Sequence, residues 1–155
     1  MAALRFKDLI VYEDEDIIAI NKPANLSSLH ERFDSQFLSV VQMCKDIDEN
    51  YSLCHRLDRE TSGVMLISKN TEAYKFIALQ FEKRSIHKIY HAVVNASVNL
   101  NELSVELPLY TDSKRRVLIS RKEGKPSLTV FNTLKQYKHF SLLSCSPHTG
   151  RLHQI

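Results

Sequence analysis

Glycine is scarce in this chain: Gly63, Gly124 and Gly150 are the only three among 155 residues. A loop that wraps phosphate in glycine backbone is therefore excluded, which argues against a nucleotide cofactor. Cysteine is also sparse and odd in number. Cys44, Cys54 and Cys145 are far apart and form no C-x-x-C pair, so neither a zinc site nor a disulfide framework is indicated. A reducing cytosol is the simplest compartment. No apolar run is long enough to span a bilayer, and Met1 to Asp8 has no apolar core of the kind a signal peptide carries. Internal repeats, low-complexity tracts and linkers are absent as well.

What remains fits one soluble domain, residues 1–155, with enough chain to bury a core. Hydrophobic content of 43% and charged content of 25% are ordinary for such a domain. The net charge of +3 permits an anionic partner without demanding one. The cations are grouped, however. Lys83, Arg84, His87 and Lys88 form one cluster, and Lys114, Arg115, Arg116, Arg121, Lys122 and Lys125 another. Clusters suit contact with phosphate, and each would equally suit a solvated charged face.

Apolar patterning gives the elements. Asp8 to Tyr12 and Asp16 to Asn21 read as strands split by an acidic turn, and Lys22-Pro23 ends the second because proline cannot donate to a ladder. Phe37, Leu38, Val41, Cys44 and Ile47 recur at helical spacing, predicting a helix over 35–48 capped by Asp34 or Ser35. Tyr51 to Arg59 has no period and reads as a loop, followed by a strand at Val64 to Ser68. A second helix, 71–83, presents Tyr74, Ile77, Ala78 and Phe81 and is capped by Asn70 or Thr71, with Lys83-Arg84 at its negative end. Strands are then expected at 89–94, 102–107, 116–120, 127–136 and 140–146. Two helices among many strands, without regular alternation, predict an α+β fold: a mixed, mainly antiparallel sheet with flanking helices.

The segment His55-Arg56-Leu57-Asp58-Arg59-Glu60-Thr61-Ser62-Gly63 holds the one carboxylate flanked by two arginines. Nearby cations favour the anionic form, which suits a nucleophile or general base; the same pattern would serve a surface ion-pair cluster. Tyr90, on a strand with Lys88 and Ala92, reads by type as a core or rim residue.

Taken whole, HRLDRETSG followed by an apolar strand resembles the signature of the RluA-like pseudouridine synthases of ribosomal and transfer RNA. Four further segments match in the family's order. Asp14 to His30 resembles the first motif, a strand leading to Asn-Lys-Pro, with Asn25 where the family has glycine; asparagine tolerates the left-handed backbone such a turn requires. Lys88-Ile89-Tyr90-His91-Ala92 resembles K-x-Y-x-A. Gly124 to Thr129 is like the Gly-Lys-x-Ala-x-Thr strand entry with Ser127 for alanine, and His148 to Ile155 resembles T-G-R-T-H-Q-I-R with Leu152 departing.

The resemblance implies isomerisation of an RNA uridine by a monomer in the cytoplasm, with RNA as partner and no cofactor, metal or membrane. It gives Asp58 the nucleophile's role, attacking either sugar C1′ or base C6, and Tyr90 the stacking face and a candidate proton-transfer group. Arg56 would hold the flipped nucleotide, while Arg59, Lys88 and Arg151 contact RNA. The family's arginine after Gln-Ile would follow Ile155, where the chain ends in an expected strand. The sequence therefore reads as a catalytic domain cut short, with no RNA-binding domain before it. Two alternatives stay open: a non-catalytic RNA-binding module of the same fold, and an unrelated α+β hydrolase using Asp58.

Overall fold

The computed structural model describes residues 4–30 and 38–155, which form two compact units, 1–83 and 84–155. In the first, the chain opens with a 3-10 turn at Phe6–Leu9, then β1 (Ile10–Glu13) and β2 (Ile17–Lys22). The first strand thus begins two residues later than the expected Asp8, because Asp8 and Leu9 belong to the 3-10 turn and Asp8 pairs with Arg5. The acidic turn closes as its charge suggests: Asp14 Oδ1 accepts from the N–H groups of Asp16 and Ile17, at 2.9 and 2.8 Å.

Helix α1 spans Val40–Lys45, shorter than the expected 35–48. Its cap is Ser39, which accepts from Gln42 N–H; the expected caps Asp34 and Ser35, and Phe37, lie outside the described residues. Ile47 falls beyond the helix and is exposed, so it does not extend the apolar face. A short β3 (Ser52–Leu53), β4 (Gly63–Ser68) and α2 (Thr71–Glu82) complete the unit. Asn70 caps α2 as expected, accepting from Ala73 N–H at 2.8 Å. Of the face expected on α2, Ile77 is buried while Tyr74 is exposed. The sheet order is β1-β2-β4-β3, antiparallel throughout, with Ile18, Ile20, Met65 and Ile67 buried at its centre.

The second unit is all β in its regular elements: β5 (Tyr90–Val94), β6 (Leu103–Glu106), β7 (Leu109–Thr111), β8 (Val117–Ile119), β9 (Leu128–Gln136) and β10 (Ser141–Pro147). The antiparallel sheet β5-β10-β9-β6 carries a separate β7–β8 hairpin. Sequence patterning missed β3 and β7, each of only two or three residues and too short to show alternation. Lys88 and Ile89 precede β5 and take no part in its ladder.

The expected final strand is instead a turn at residues 151–155, with His153 in a left-handed conformation at φ 51°. Gln154 dictates that shape. Its Oε1 accepts from Thr149 Oγ1 and Arg151 N–H, and its Nε2 donates to Leu128 O and Thr129 Oγ1, so the side chain uses both ends to fold the segment back onto β9.

Candidate active site

Asp58 sits in the loop between β3 and β4, about one-third exposed at its side chain. Arg56 Nη2 lies 3.9 Å from Asp58 Oδ1, so the structure brings these two residues together as a loose ion pair. Arg59 is exposed on the next turn. A loop without secondary structure holds a carboxylate in place only if its backbone is fixed from outside. Here three polar side chains supply that fixation.

At the entry, His55 Nε2 accepts from Leu66 N–H at 3.0 Å, and its ring stacks on Phe81 with centroids 4.7 Å apart. Immediately before the aspartate, the buried Ser28 hydroxyl donates to Leu57 O at 2.6 Å and accepts from Leu57 N–H at 3.1 Å. One hydroxyl thus engages both backbone groups of Leu57, whose side chain is itself buried. After the aspartate, Lys22 Nζ donates to Arg59 O at 3.1 Å, to Leu26 O at 2.7 Å and to Pro23 O at 3.0 Å. Asn25 N–H also donates to Arg59 O, at 2.8 Å.

Lys22 has no exposed surface. Burial pushes its pKa down, while the charges of Glu60 and Asp58 pull it back up. Neither Lys22 nor Ser28 stood out among the sequence's site candidates. The signal for Lys22 was present: Ile18, Ile20 and Lys22 share the parity of the inward face of β2. Ser28 had no such signal, because its partner is 29 residues away in sequence.

The second unit holds the other candidates. Tyr90 opens β5, half-buried and opposite Cys145 of β10. Lys88 Nζ donates to Thr149 O at 3.2 Å, which ties it to the turn that carries Arg151. Its pKa is lowered, chiefly by burial and secondarily by Arg84. Arg151 Nε donates to Pro126 O at 3.0 Å, linking that turn to the Gly-Lys-Pro segment. Among the described residues, no group of three His, Cys, Asp or Glu side chains could hold a metal ion. The three cysteines are buried thiols, Cys44 pushed up to about 12 by burial.

A family profile described as RNA pseudouridylate synthase matches residues 16–155. The dual-specificity RNA pseudouridine synthase RluA of Vibrio cholerae is 36% identical over 152 residues, covering 94% of this chain and 60% of that protein. The ribosomal large subunit pseudouridine synthase C of Escherichia coli K12 is 35% identical over 153 residues, covering 96% of this chain and 48% of its own length. The chain thus spans about half to three-fifths of these curated relatives. Two human structures share the fold: RNA pseudouridylate synthase domain containing 4, with a TM-score of 0.73 at 24% identity over 96% of this chain and 63% of that one, and domain containing 1, with 0.74 at 24% over 94% and 61%. With a profile match running from the first β-hairpin to the final turn, the chain belongs to the RNA pseudouridylate synthase family.

Proposed function

We propose that this chain carries the catalytic region of an isomerase that converts a uridine in ribosomal or transfer RNA to pseudouridine. The observation that carries the reading is the Asp58 loop: a partly exposed carboxylate beside Arg56, on a backbone pinned on both sides by buried donors. Rigid placement of a reacting group supplies much of catalysis, since it removes the entropy of alignment before the reaction begins.

In the proposed reaction the target nucleotide is flipped out of its stack, at a cost of a few kcal/mol. Asp58 adds to the substrate at C1′ or C6, the N1–C1′ bond breaks, the base turns and forms a C5–C1′ bond, and the bond to Asp58 breaks to free its carboxylate. The C5 proton then leaves and N1 gains one, so uracil is returned as an isomer with no atom gained or lost. No redox step is involved. Tyr90 offers a face for stacking on the base and a hydroxyl for proton transfer. Arg56 holds the flipped nucleotide, while Arg59, Lys88 and Arg151 contact the RNA. Phosphate contacts of this kind position the substrate without reading its sequence. A cytoplasmic location fits an RNA substrate of this class.

Tritium release from RNA labelled at uridine C5 tests the proposal. The full chain should release tritium, and Asp58→Asn should abolish release while leaving RNA affinity within about twofold. Undiminished release from that variant would remove Asp58 from the nucleophile's role. RNA binding without release by the unaltered chain would favour the non-catalytic RNA-binding alternative.

A further inference from the structure

The second unit contains a cleft of about 350 Å³ between the β7–β8 hairpin and the C-terminal turn, lined by Tyr110, Glu123, Lys125, Gly150, Arg151 and Leu152 among others. We propose that this cleft binds one nucleotide of a single-stranded RNA segment flanking the target uridine, with the hairpin tracking the phosphates that continue from it. The proposal rests on the uridine-isomerase reading above and adds a docking site to it.

Three observations carry it. The first is rigidity. Lys125 is locked to Leu109 by reciprocal backbone hydrogen bonds, Leu109 N–H to Lys125 O at 2.9 Å and Lys125 N–H to Leu109 O at 2.8 Å. Arg151 is braced from two directions, its Nε on Pro126 O and its N–H on Gln154 Oε1. The backbone that carries Lys125 and the side chain of Arg151 are therefore held in place before any ligand arrives, which lowers the ordering cost of binding. The second is charge. Beyond the cleft the hairpin exposes Lys114, Arg115, Arg121 and Lys122, while Arg116 is paired with Asp112 at 2.8 Å. Clustered cations of this kind follow a phosphate backbone.

The third observation is the mixture of groups inside. A site for a bare anion would not include the Glu123 carboxylate, which repels phosphate. A nucleotide needs more than cations: an aromatic face for its base, an acceptor for its hydroxyl and amino donors, and a cation for its phosphate. Tyr110, Glu123 and the Lys125–Arg151 pair supply these in turn. The volume lies at the small end of the range for ligand clefts, ~300–1,000 Å³, and suits one nucleotide better than a folded helix.

Fluorescence anisotropy with a labelled single-stranded RNA, titrated across a salt series, tests the proposal on the full chain. Lys125→Ala should weaken binding several-fold and reduce the slope of log affinity against log salt by about 0.7, the value for one phosphate contact on a single strand. Tyr110→Leu should weaken binding about 5- to 100-fold with the slope unchanged, as expected for a lost stacking contact. Lys138→Ala, on the β9–β10 turn, should match the unaltered chain. Unchanged affinity in both cleft variants overturns the cleft site and leaves the isomerase reading intact. Equal losses in Lys125→Ala and Lys138→Ala also overturn it, because they indicate diffuse attraction. An unaltered chain that binds no RNA overturns both readings together.

Discussion

Lys22 shows how one buried cation can organise the backbone around Asp58. Its ammonium donates to three carbonyls from two separate segments, the Pro23–Leu26 turn and the residue after Asp58. Lys22→Met relieves a desolvated charge but leaves those carbonyls without their donor. Leu26 O is buried, whereas the other two are only partly covered, so the net loss should be about 1–3 kcal/mol. A urea midpoint measured at neutral pH checks this. The pH dependence follows from the lowered pKa. Between that lowered value and 10.5, the unfolded chain binds the Lys22 proton more tightly than the folded one. Stability from this group therefore rises as pH climbs through that window, and below it the cost of the buried charge stays constant. The gap in urea midpoint between the natural chain and Lys22→Met should widen as pH rises toward 10.5, the ordinary lysine value. A gap that narrows over that range would contradict the assigned direction.

Among the elements, the turn after β2 gives the clearest agreement between sequence and structure. Asn25 adopts φ 67°, the left-handed conformation its place in the family's glycine position predicts, and its N–H reaches Arg59 O. Asn25→Gly should hold or raise stability by up to ~1 kcal/mol, whereas Asn25→Val should cost about 1–2 kcal/mol because a β-branched side chain crowds this backbone. Paired thermal melts of the two variants would show it, and a valine variant as stable as the glycine one would refute it. Capping was equally legible where the capping residue is adjacent in sequence, as with Asn70 and α2. It was misplaced for α1, where helical spacing outran the helix and the cap is Ser39. The final turn was misread as a strand because its shape comes from four side-chain hydrogen bonds of Gln154, a tertiary effect that no local apolar pattern records. The Asp58 loop was legible through its motif, but its anchors come from segments about 30–40 residues away, at Ser28 and Lys22, and only folding reveals them.

Across the whole molecule the two units are built on different balances of forces. Among the described residues, fourteen buried apolar side chains belong to residues 1–83, and only Leu143, Cys145 and Pro147 to residues 84–155. The second unit buries hydroxyls in their place. Ser141 Oγ accepts from Val98 N–H, Thr149 Oγ1 accepts from Leu128 N–H, and Ser127 Oγ donates to Leu107 O. Hydrogen bonds of this kind contribute about 1 kcal/mol each, less than the ~1.5–3 kcal/mol gained by burying a large aliphatic side chain. Local opening is cheapest where apolar burial is thin. Amide hydrogen exchange read by mass spectrometry should therefore find β2 and β4, with Ile18, Ile20, Met65 and Ile67 at 1% exposure or less, the slowest strands to exchange. The edge strand β6, where Leu103 is 46% exposed, should exchange far sooner. Equal protection of β6 and β2 would mean that the hydroxyl network stabilises its sheet as strongly as an aliphatic core does. The asymmetry would make the unit that carries Asp58 the more rigid of the two, as the alignment required of the proposed nucleophile demands.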